Sequence, residues 1–85
     1  MKFIFCYDIS DNRTLNKVAK KLQEHGIRVQ YSVFEIDTTY QKAVELLEEI
    51  KQIINPETDR IFMYPANRNQ KGIKRFGLIR GGRII

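Results

Sequence analysis

The stretch IRVQYSVFEID, from Ile27 to Asp37, decides which fold this chain adopts. Apolar side chains fill alternate positions at its start, namely Ile27, Val29, Tyr31 and Val33. The apolar set then shifts by one position, to Phe34 and Ile36. Successive side chains of a strand point to opposite faces, so this shift needs a bulge or a break near residues 31–34. The pattern therefore predicts two short strands or one sharply kinked strand.

An apolar strand and an amphipathic helix precede this stretch. Residues 3–7 are apolar on both faces until Asp8, which is typical of an inner strand covered on both sides. Residue types that cap helices follow at Ser10, Asp11 and Asn12. Apolar residues then recur at helical spacing, at Leu15, Val18, Ala19 and Leu22. We expect this helix to end at Gly26, in a C′ position.

A second helix and a further strand follow. Thr38 or Thr39 can cap the helix, and Asn55-Pro56 ends it. Its apolar positions are Ala43, Val44, Leu46, Leu47, Ile50, Ile53 and Ile54. A strand over residues 60–64, stopped by Pro65, comes next. Beyond it we expect a polar loop over residues 67–72 and a short last strand over residues 74–79.

The order β-α-β-β-α-β predicts a ferredoxin-like α+β sandwich with both helices on one face of the sheet. A flavodoxin-like parallel sheet is the alternative if residues 27–37 form one unbroken strand, and the shift in the apolar pattern argues against it. We expect residues 1–80 to form the domain and residues 81–85, freed by Gly81-Gly82, to pack on a partner subunit. A monomer of 85 residues buries only roughly 60–65% of its unfolded surface, which favours a homodimer.

Positive charge is concentrated in the C-terminal third. Residues 1–59 carry eight Lys and Arg against ten Asp and Glu, whereas residues 60–85 carry seven Lys and Arg and no acid. Each cation that neutralises a phosphate releases counterions, so this segregation indicates a polyanionic partner, with nucleic acid as the first candidate. A solvated basic tail without a partner is the alternative. No amphipathic helix carries the charge, which disfavours a membrane surface.

The composition excludes several classes of site and indicates a compartment. One His and one Cys cannot build a tetrahedral zinc site within a protomer, and no GxGxxG or Walker sequence is present. The single cysteine, Cys6, lies in an apolar run and indicates a buried side chain in a reducing cytoplasm. Neither a signal peptide nor a membrane-spanning run is recognisable. We therefore expect a cytoplasmic protein without redox or nucleotide-cofactor chemistry.

Asp8 is the candidate catalytic group because it ends an inner strand where the chain turns into a helix. Mg²⁺ commonly takes one or two carboxylates and completes its shell with water and substrate phosphate. A two-fold dimer could supply the pair, one Asp8 from each chain, and the metal would activate water against a phosphodiester. Helix capping is the alternative role for Asp8, and the favoured one for Asp11.

Residues 27–37 supply further candidates. Arg28, Gln30 and Ser32 are predicted to share one face of a strand and could hold a phosphate by charge and hydrogen bonds. A solvent-facing polar stripe is the alternative. For Phe34 the spacing favours a place in the core.

The segment YDISDNRTLNKVAKKLQEHGIRVQYSVFE resembles the N-terminal signature of the small CRISPR-associated adaptation proteins, the second of the two universal Cas families, also known as CRISPR-associated endoribonucleases. The resemblance is close from residue 3 to about residue 36 and looser over DRIFMYP. It implies a ferredoxin-like homodimer in which the last short strand of each chain adds to the partner's sheet. It also implies a role in spacer acquisition, in which the dimer bridges two integrase dimers and lies along the DNA duplex to be inserted.

The resemblance further implies a site and a cofactor. Some members of the family are Mg²⁺-dependent endonucleases on single-stranded RNA or double-stranded DNA, so Mg²⁺ or another divalent cation is expected. The metal-binding aspartate of the family falls on Asp8, and its functional arginine and phenylalanine fall on Arg28 and Phe34. Leu15 stands where many relatives carry a second arginine. The predicted nucleic-acid contacts are Arg13, Lys17, Arg28, Arg68, Lys71, Lys74 and Arg75.

Two other classes of protein fit the same pattern. A virulence-associated ribonuclease toxin shares the small fold and a strand-end aspartate. A non-enzymatic RNA-binding module of the same βαββαβ kind predicts a monomer with exposed aromatic side chains on the central strands.

Overall fold

A computed structural model of the chain describes residues 1–66 and has the predicted order of elements. The elements are β1 (Lys2–Asp8), α1 (Asn12–Gln23), β2 (Ile27–Gln30), β3 (Val33–Asp37), α2 (Tyr40–Ile53) and β4 (Arg60–Ala66). The predicted loop at 67–72, the last strand at 74–79 and the segment 81–85 lie outside the described residues. Neither α1 nor α2 has the length and apolar character that crossing a membrane requires.

The strands form one antiparallel sheet in the order β2-β3-β1-β4. β1 lies inside the sheet, paired with β3 on one side and with β4 on the other. This inner position explains why residues 3–7 are apolar on both faces, and all of them are buried. The sheet is antiparallel and both helices pack on one face of it, which confirms the ferredoxin-like fold and excludes the flavodoxin-like alternative.

The shift in the apolar pattern marks a break between two strands. Residues 31 and 32 form the turn that joins β2 to β3. A bulge lies between Arg28 and Gln30, which pair with Phe34 and Val33 respectively. Phe34 and Val33 are neighbours and point to opposite faces, so Arg28 and Gln30 do as well. The prediction that Arg28, Gln30 and Ser32 share one face is therefore wrong.

β4 continues through Pro65, which was predicted to stop it. Pro65 pairs with Phe3, and the strand ends at Ala66. Among the described strands β4 has a neighbour on one side only, and proline is tolerated on an edge strand because its missing N–H can lie on the unpaired side.

The main core lies between the helices and the sheet. Its fully buried large side chains are Phe3, Phe5, Phe34, Leu22, Ile36, Ile50 and Val18. The aromatic side chains of the central strands β1 and β3 belong to this core, and Tyr7 is buried with them. The exposed aromatic platform that an RNA-binding module predicts on these strands is therefore absent from the described sheet.

Both helices begin at predicted caps. The Oδ2 of Asp11 accepts a hydrogen bond from the Thr14 backbone N–H at 2.9 Å, and the Oγ1 of Thr39 accepts one from the Lys42 N–H at 3.1 Å. Gly26 lies two residues beyond the Glu24 C-cap and does not adopt a left-handed conformation. Its role differs from the predicted one, because a Cβ there would collide with the backbone carbonyl of Glu35. Gly26 is thus required by the close approach of the chain to β3.

Candidate nucleic-acid interface

Asp8 lies exposed at the end of β1, on the face of the sheet opposite the helices. We call this the second face, because its side chains alternate with those of the helix-covered core. Ile4 and Cys6 precede Asp8 on it, and Arg60 is the partner of Asp8 on β4. Directly paired residues of an antiparallel ladder hold their Cβ atoms about 4.5–5.5 Å apart. Asp8 therefore has a guanidinium-bearing side chain as its immediate neighbour on the same face.

The second face is apolar up to Asp8. Ile4, Cys6 and Val33 are buried there, and half-buried Phe62 and Tyr64 pack against them. Burial raises the pKa of the Tyr64 hydroxyl, as expected of a phenol in surroundings of low polarity. All packing partners of this cluster within residues 1–66 come from strands. The Asp8 carboxylate thus stands at the border between an apolar sheet face and solvent.

Arg28 and Phe34 lie together on the helix-covered face. Phe34 is fully buried and pairs with both Arg28 and Phe5. The guanidinium carbon of Arg28 lies 5.1 Å from the centre of the Phe34 ring and 5.7 Å from that of Tyr31. A cation within about 6 Å of a ring centroid is attracted to the ring face. The predicted core position of Phe34 is confirmed, and its buried ring orients the exposed Arg28.

Asp8 and Arg28 do not meet in one pocket within a protomer. They project from opposite faces of the sheet, although both lie near the turn of residues 31–32. Tyr7, next to Asp8, donates its backbone N–H to the Ser32 carbonyl at 3.2 Å and its hydroxyl to the Tyr31 carbonyl at 3.3 Å. A ligand that contacts both Asp8 and Arg28 would have to cross this end of the sheet.

Asp59, which sequence reasoning did not single out, holds the loops around Asp8 in place. Its side chain is 4% exposed and accepts hydrogen bonds from the backbone N–H groups of Asn55 at 2.9 Å and Ser10 at 3.3 Å. The Thr58 hydroxyl donates a third at 3.0 Å. Burial alone would raise the pKa of Asp59, but these hydrogen bonds to the carboxylate outweigh it and the pKa is lowered. The charged carboxylate thus ties the loop after β1 to the loop before β4.

The predicted cations of α1 form part of a stripe. Arg13 and Lys17 are both exposed and lie one turn apart, and exposed Lys20 continues the same face. The first turn of α1 contains no acidic residue, and the carboxylate of the Asp11 N-cap offsets the positive end of the helix dipole next to Arg13. Four predicted contacts lie outside the described residues: Arg68, Lys71, Lys74 and Arg75.

A divalent cation could find only part of its ligand set here. Residues 1–66 contain no group of three or more His, Cys, Asp or Glu side chains placed to hold a metal ion. Asp8 offers one carboxylate of the hard oxygen type that Mg²⁺ prefers, and Mg²⁺ keeps several waters when few carboxylates bind it. Asp8 therefore fits a Mg²⁺ site as one of two carboxylate ligands, with water completing the coordination shell.

Most of this sequence matches proteins of a known family. The family described as CRISPR associated protein Cas2 matches residues 1–73. A CRISPR-associated endoribonuclease Cas2 of Rhodospirillum rubrum is 42% identical over 75% of this chain, which spans about half (52%) of that relative's length. Another, from Synechocystis sp., is 40% identical over 76% of this chain and 71% of its own length.

Solved structures agree with the sequence relatives. The crystal structure of Streptococcus pyogenes Cas2 matches with a TM-score of 0.74 at 33% identity, covering 84% of this chain and 92% of that one. A hypothetical protein from Thermus thermophilus matches with a TM-score of 0.73 at 29% identity, covering 78% and 80%. The resemblance seen in the sequence is confirmed: this chain belongs to the family of the CRISPR-associated protein Cas2.

Proposed function

We propose that this chain acts in CRISPR adaptation as a cytoplasmic, nucleic-acid-binding homodimer that cleaves phosphodiester bonds at Asp8 with a divalent cation. The observation that carries the proposal is an exposed carboxylate at the end of the inner strand, paired in register with an arginine. The names of the Rhodospirillum rubrum and Synechocystis relatives, CRISPR-associated endoribonucleases, support this activity.

In this proposal the residues have separate tasks. Asp8 would hold the cation through its carboxylate oxygens, and the cation would supply charge stabilisation at the phosphate and a water of lowered pKa. Arg60 and Arg28 bind phosphate oxygens, because a guanidinium matches a phosphate in charge and geometry. Phe34 is a positioning residue, since its ring is buried beneath Arg28 and cannot touch a substrate. Asp59 positions the loop that follows Asp8.

A second subunit completes the site in this proposal. One Asp8 per protomer provides half of a two-carboxylate arrangement, and a two-fold dimer would bring a second Asp8 to the cation. The half-buried Phe62 and Tyr64 of the second face offer apolar surface that a partner subunit can bury. The same dimer would bridge integrase dimers and lie along a DNA duplex, with single-stranded RNA as the substrate of cleavage. Arg13 and Lys17, with Arg68, Lys71, Lys74 and Arg75, would add phosphate contacts.

The test is cleavage by the Asp8→Asn variant. End-labelled single-stranded RNA is incubated with wild type, with Asp8→Asn and with Asp37→Asn, in Mg²⁺ and in chelator. Asp37 is an exposed carboxylate at the opposite end of the sheet and serves as the matched control. We expect Asp8→Asn to lower the cleavage rate by about 100-fold or more, because it removes the anionic ligand. Equal rates for wild type and Asp8→Asn would remove Asp8 from the mechanism, and cleavage unaffected by chelator would remove the metal.

The ribonuclease-toxin alternative makes a different genetic prediction. A CRISPR adaptation protein is encoded beside a repeat array and an integrase gene, whereas a toxin is encoded beside its antitoxin. Inspection of the neighbouring genes distinguishes the two.

A further inference from the structure

Tyr31 is a large aromatic side chain held in solvent. It is 70% exposed, the highest value for any aromatic residue within residues 1–66. It occupies the turn between β2 and β3, where a polar residue is usual. Neither the core nor the tasks assigned above account for its ring.

Three contacts fix the position of Tyr31 without burying it. Its backbone carbonyl accepts the hydrogen bond from the Tyr7 hydroxyl, and the next carbonyl, that of Ser32, accepts the Tyr7 N–H. The Arg28 guanidinium lies over the Tyr31 ring at 5.7 Å from its centre. The turn is thereby tied to β1, and the Tyr31 ring is held by a guanidinium that also lies over the Phe34 ring. An aromatic ring that is ordered and still exposed is suited to bind a flat ligand.

Tyr31 lies at the same end of the sheet as the candidate catalytic carboxylate, with its ring against Arg28. The β1–β3 ladder ends at the pair Cys6–Val33, and the Tyr7–Ser32 hydrogen bond continues the same register by one residue. One further step would place Tyr31 opposite Asp8 on the neighbouring segment. A strand of nucleic acid that crosses this end of the sheet from Asp8 to Arg28 therefore passes Tyr31.

We propose that Tyr31 stacks on an unpaired nucleobase of the nucleic acid whose backbone is bound at Asp8. This inference rests on the proposed function and deepens it, because it assigns a base-contacting residue to the same site. The bases of a duplex are already stacked on one another, whereas a single strand offers free base faces to an aromatic ring. The Arg28 guanidinium over Tyr31 supplies a positive charge for the adjoining phosphate. Tyr31 thus favours single-stranded over double-stranded ligands.

The test compares three variants of the full chain. Tyr31→Ala removes the ring and Tyr31→Phe keeps it. Tyr40→Ala removes a tyrosine of similar exposure, 64%, which lies at the start of α2 and packs near Phe3. The probes are a short single-stranded RNA containing 2-aminopurine and the same sequence as a duplex, both in chelator so that cleavage does not interfere. Fluorescence anisotropy measures affinity, and quenching of 2-aminopurine reports stacking.

We expect Tyr31→Ala to weaken single-strand binding by about tenfold and to abolish the quenching that accompanies binding. Duplex binding should change by less than about twofold, since no base face is available there. Tyr31→Phe and Tyr40→Ala should behave as wild type in both measurements. The Asp8→Asn variant should lose cleavage but keep the 2-aminopurine quenching at saturating protein, which separates this inference from the catalytic proposal.

Four results would overturn the assignment. The first is quenching by Tyr31→Ala equal to that of wild type. The second is an equal loss of single-strand and duplex affinity, which would show a general effect on the surface. The third is a change in oligomeric state of Tyr31→Ala by light scattering, which would place the ring in a subunit contact. The last is a wild-type chain that binds the single strand without quenching. Cleavage that depends on Asp8 would leave the proposed function standing in each of these cases.

Discussion

Two carboxylates at one end of the molecule stand in opposite environments. Asp59 directly precedes Arg60, the partner of Asp8 in the ladder. Asp59 is buried and accepts three hydrogen bonds, whereas Asp8 is exposed, and within residues 1–66 no hydrogen bond or ion pair engages its carboxylate. A buried carboxylate that accepts hydrogen bonds from the loops around it contributes to the stability of the fold. A charge kept in solvent at a strand end remains available to a ligand.

The largest difference between Asp59 and Asp8 should appear when each carboxylate is removed and the free energy of unfolding is measured. Asp59→Ala leaves three donors without their acceptor, two of them backbone N–H groups, and we expect a loss of about 2–4 kcal/mol in the free energy of unfolding. Asp8→Ala removes no such bond and should change stability by less than about 0.5 kcal/mol. Urea denaturation followed by circular dichroism measures both. A larger loss for Asp8→Ala would reverse the roles given to the two residues.

The pH dependence of stability tests the state of the Asp59 carboxylate. The pKa of Asp59 is lowered in the folded chain, so the unfolded chain, with an Asp pKa of about 3.9, takes up the proton first as the pH falls. The stabilisation is fully present above the unfolded pKa and is lost as the pH falls through the folded pKa. Urea midpoints between about pH 6 and pH 3 should therefore fall less steeply for Asp59→Asn than for wild type.

The matched variant for the pH experiment is Asp8→Asn. This variant removes one exposed carboxylate by the same chemical change, so it controls for the general effect of losing one negative charge. A slope for Asp59→Asn that equals the wild-type slope would show that protonation of Asp59 is not linked to unfolding.

Local sequence patterns predicted the helices and strands, whereas features that depend on strand order and register could not be predicted from them. The one-residue shift between Val33 and Phe34 predicted two short strands or one kinked strand, and the structure has the two strands β2 and β3. Asp11 was identified as a helix cap from its residue type alone. The course of β4 was less predictable, because tolerance of Pro65 depends on its being an edge strand. Edge positions follow from strand order, which a linear pattern does not contain.

A residue of the candidate site was predictable only where its position follows from the sequence next to it. Asp8 could be placed at a strand end from the apolar run before it, whereas the face of Arg28 depends on a bulge one residue away. Asp59 could not be recognised, because it is buried where two loops meet that are far apart in the sequence. Its hydrogen-bond donor Ser10 lies 49 positions before it. An acid within the turn before a predicted strand was the only local signal.

A third carboxylate, that of Asp11 in the loop after β1, should give a smaller effect than Asp59. Asp11 accepts hydrogen bonds from the backbone N–H and the hydroxyl of Thr14, at 2.9 and 3.0 Å, and these bonds lower its pKa. Asp11 is exposed, so water can accept part of the hydrogen bonding from Thr14 when the carboxylate is removed. We expect Asp11→Ala to be measurably less stable than wild type in urea, and Asp11→Ser to recover most of the loss because serine also caps helices well. Failure of serine to recover stability would mean that charge, not capping, is what Asp11 contributes.

Arg60 follows Asp59 in the chain and pairs with Asp8 in the ladder, and its replacement should affect stability least. Its Nη1 donates to the Asp59 carbonyl at 3.0 Å, yet the side chain is exposed, so Arg60→Gln should cost less than about 0.5 kcal/mol. If Arg60 binds phosphate beside Asp8, the same variant should weaken single-stranded RNA binding and reduce the slope of log affinity against log salt by about 0.7. Lys42→Gln, an exposed cation in the first turn of α2 at the far end of the sheet, should leave that slope unchanged. An Arg60→Gln chain that loses stability but keeps the wild-type salt slope would place Arg60 with Asp59, as part of the fold, and leave Asp8 without a phosphate-binding neighbour on its own face.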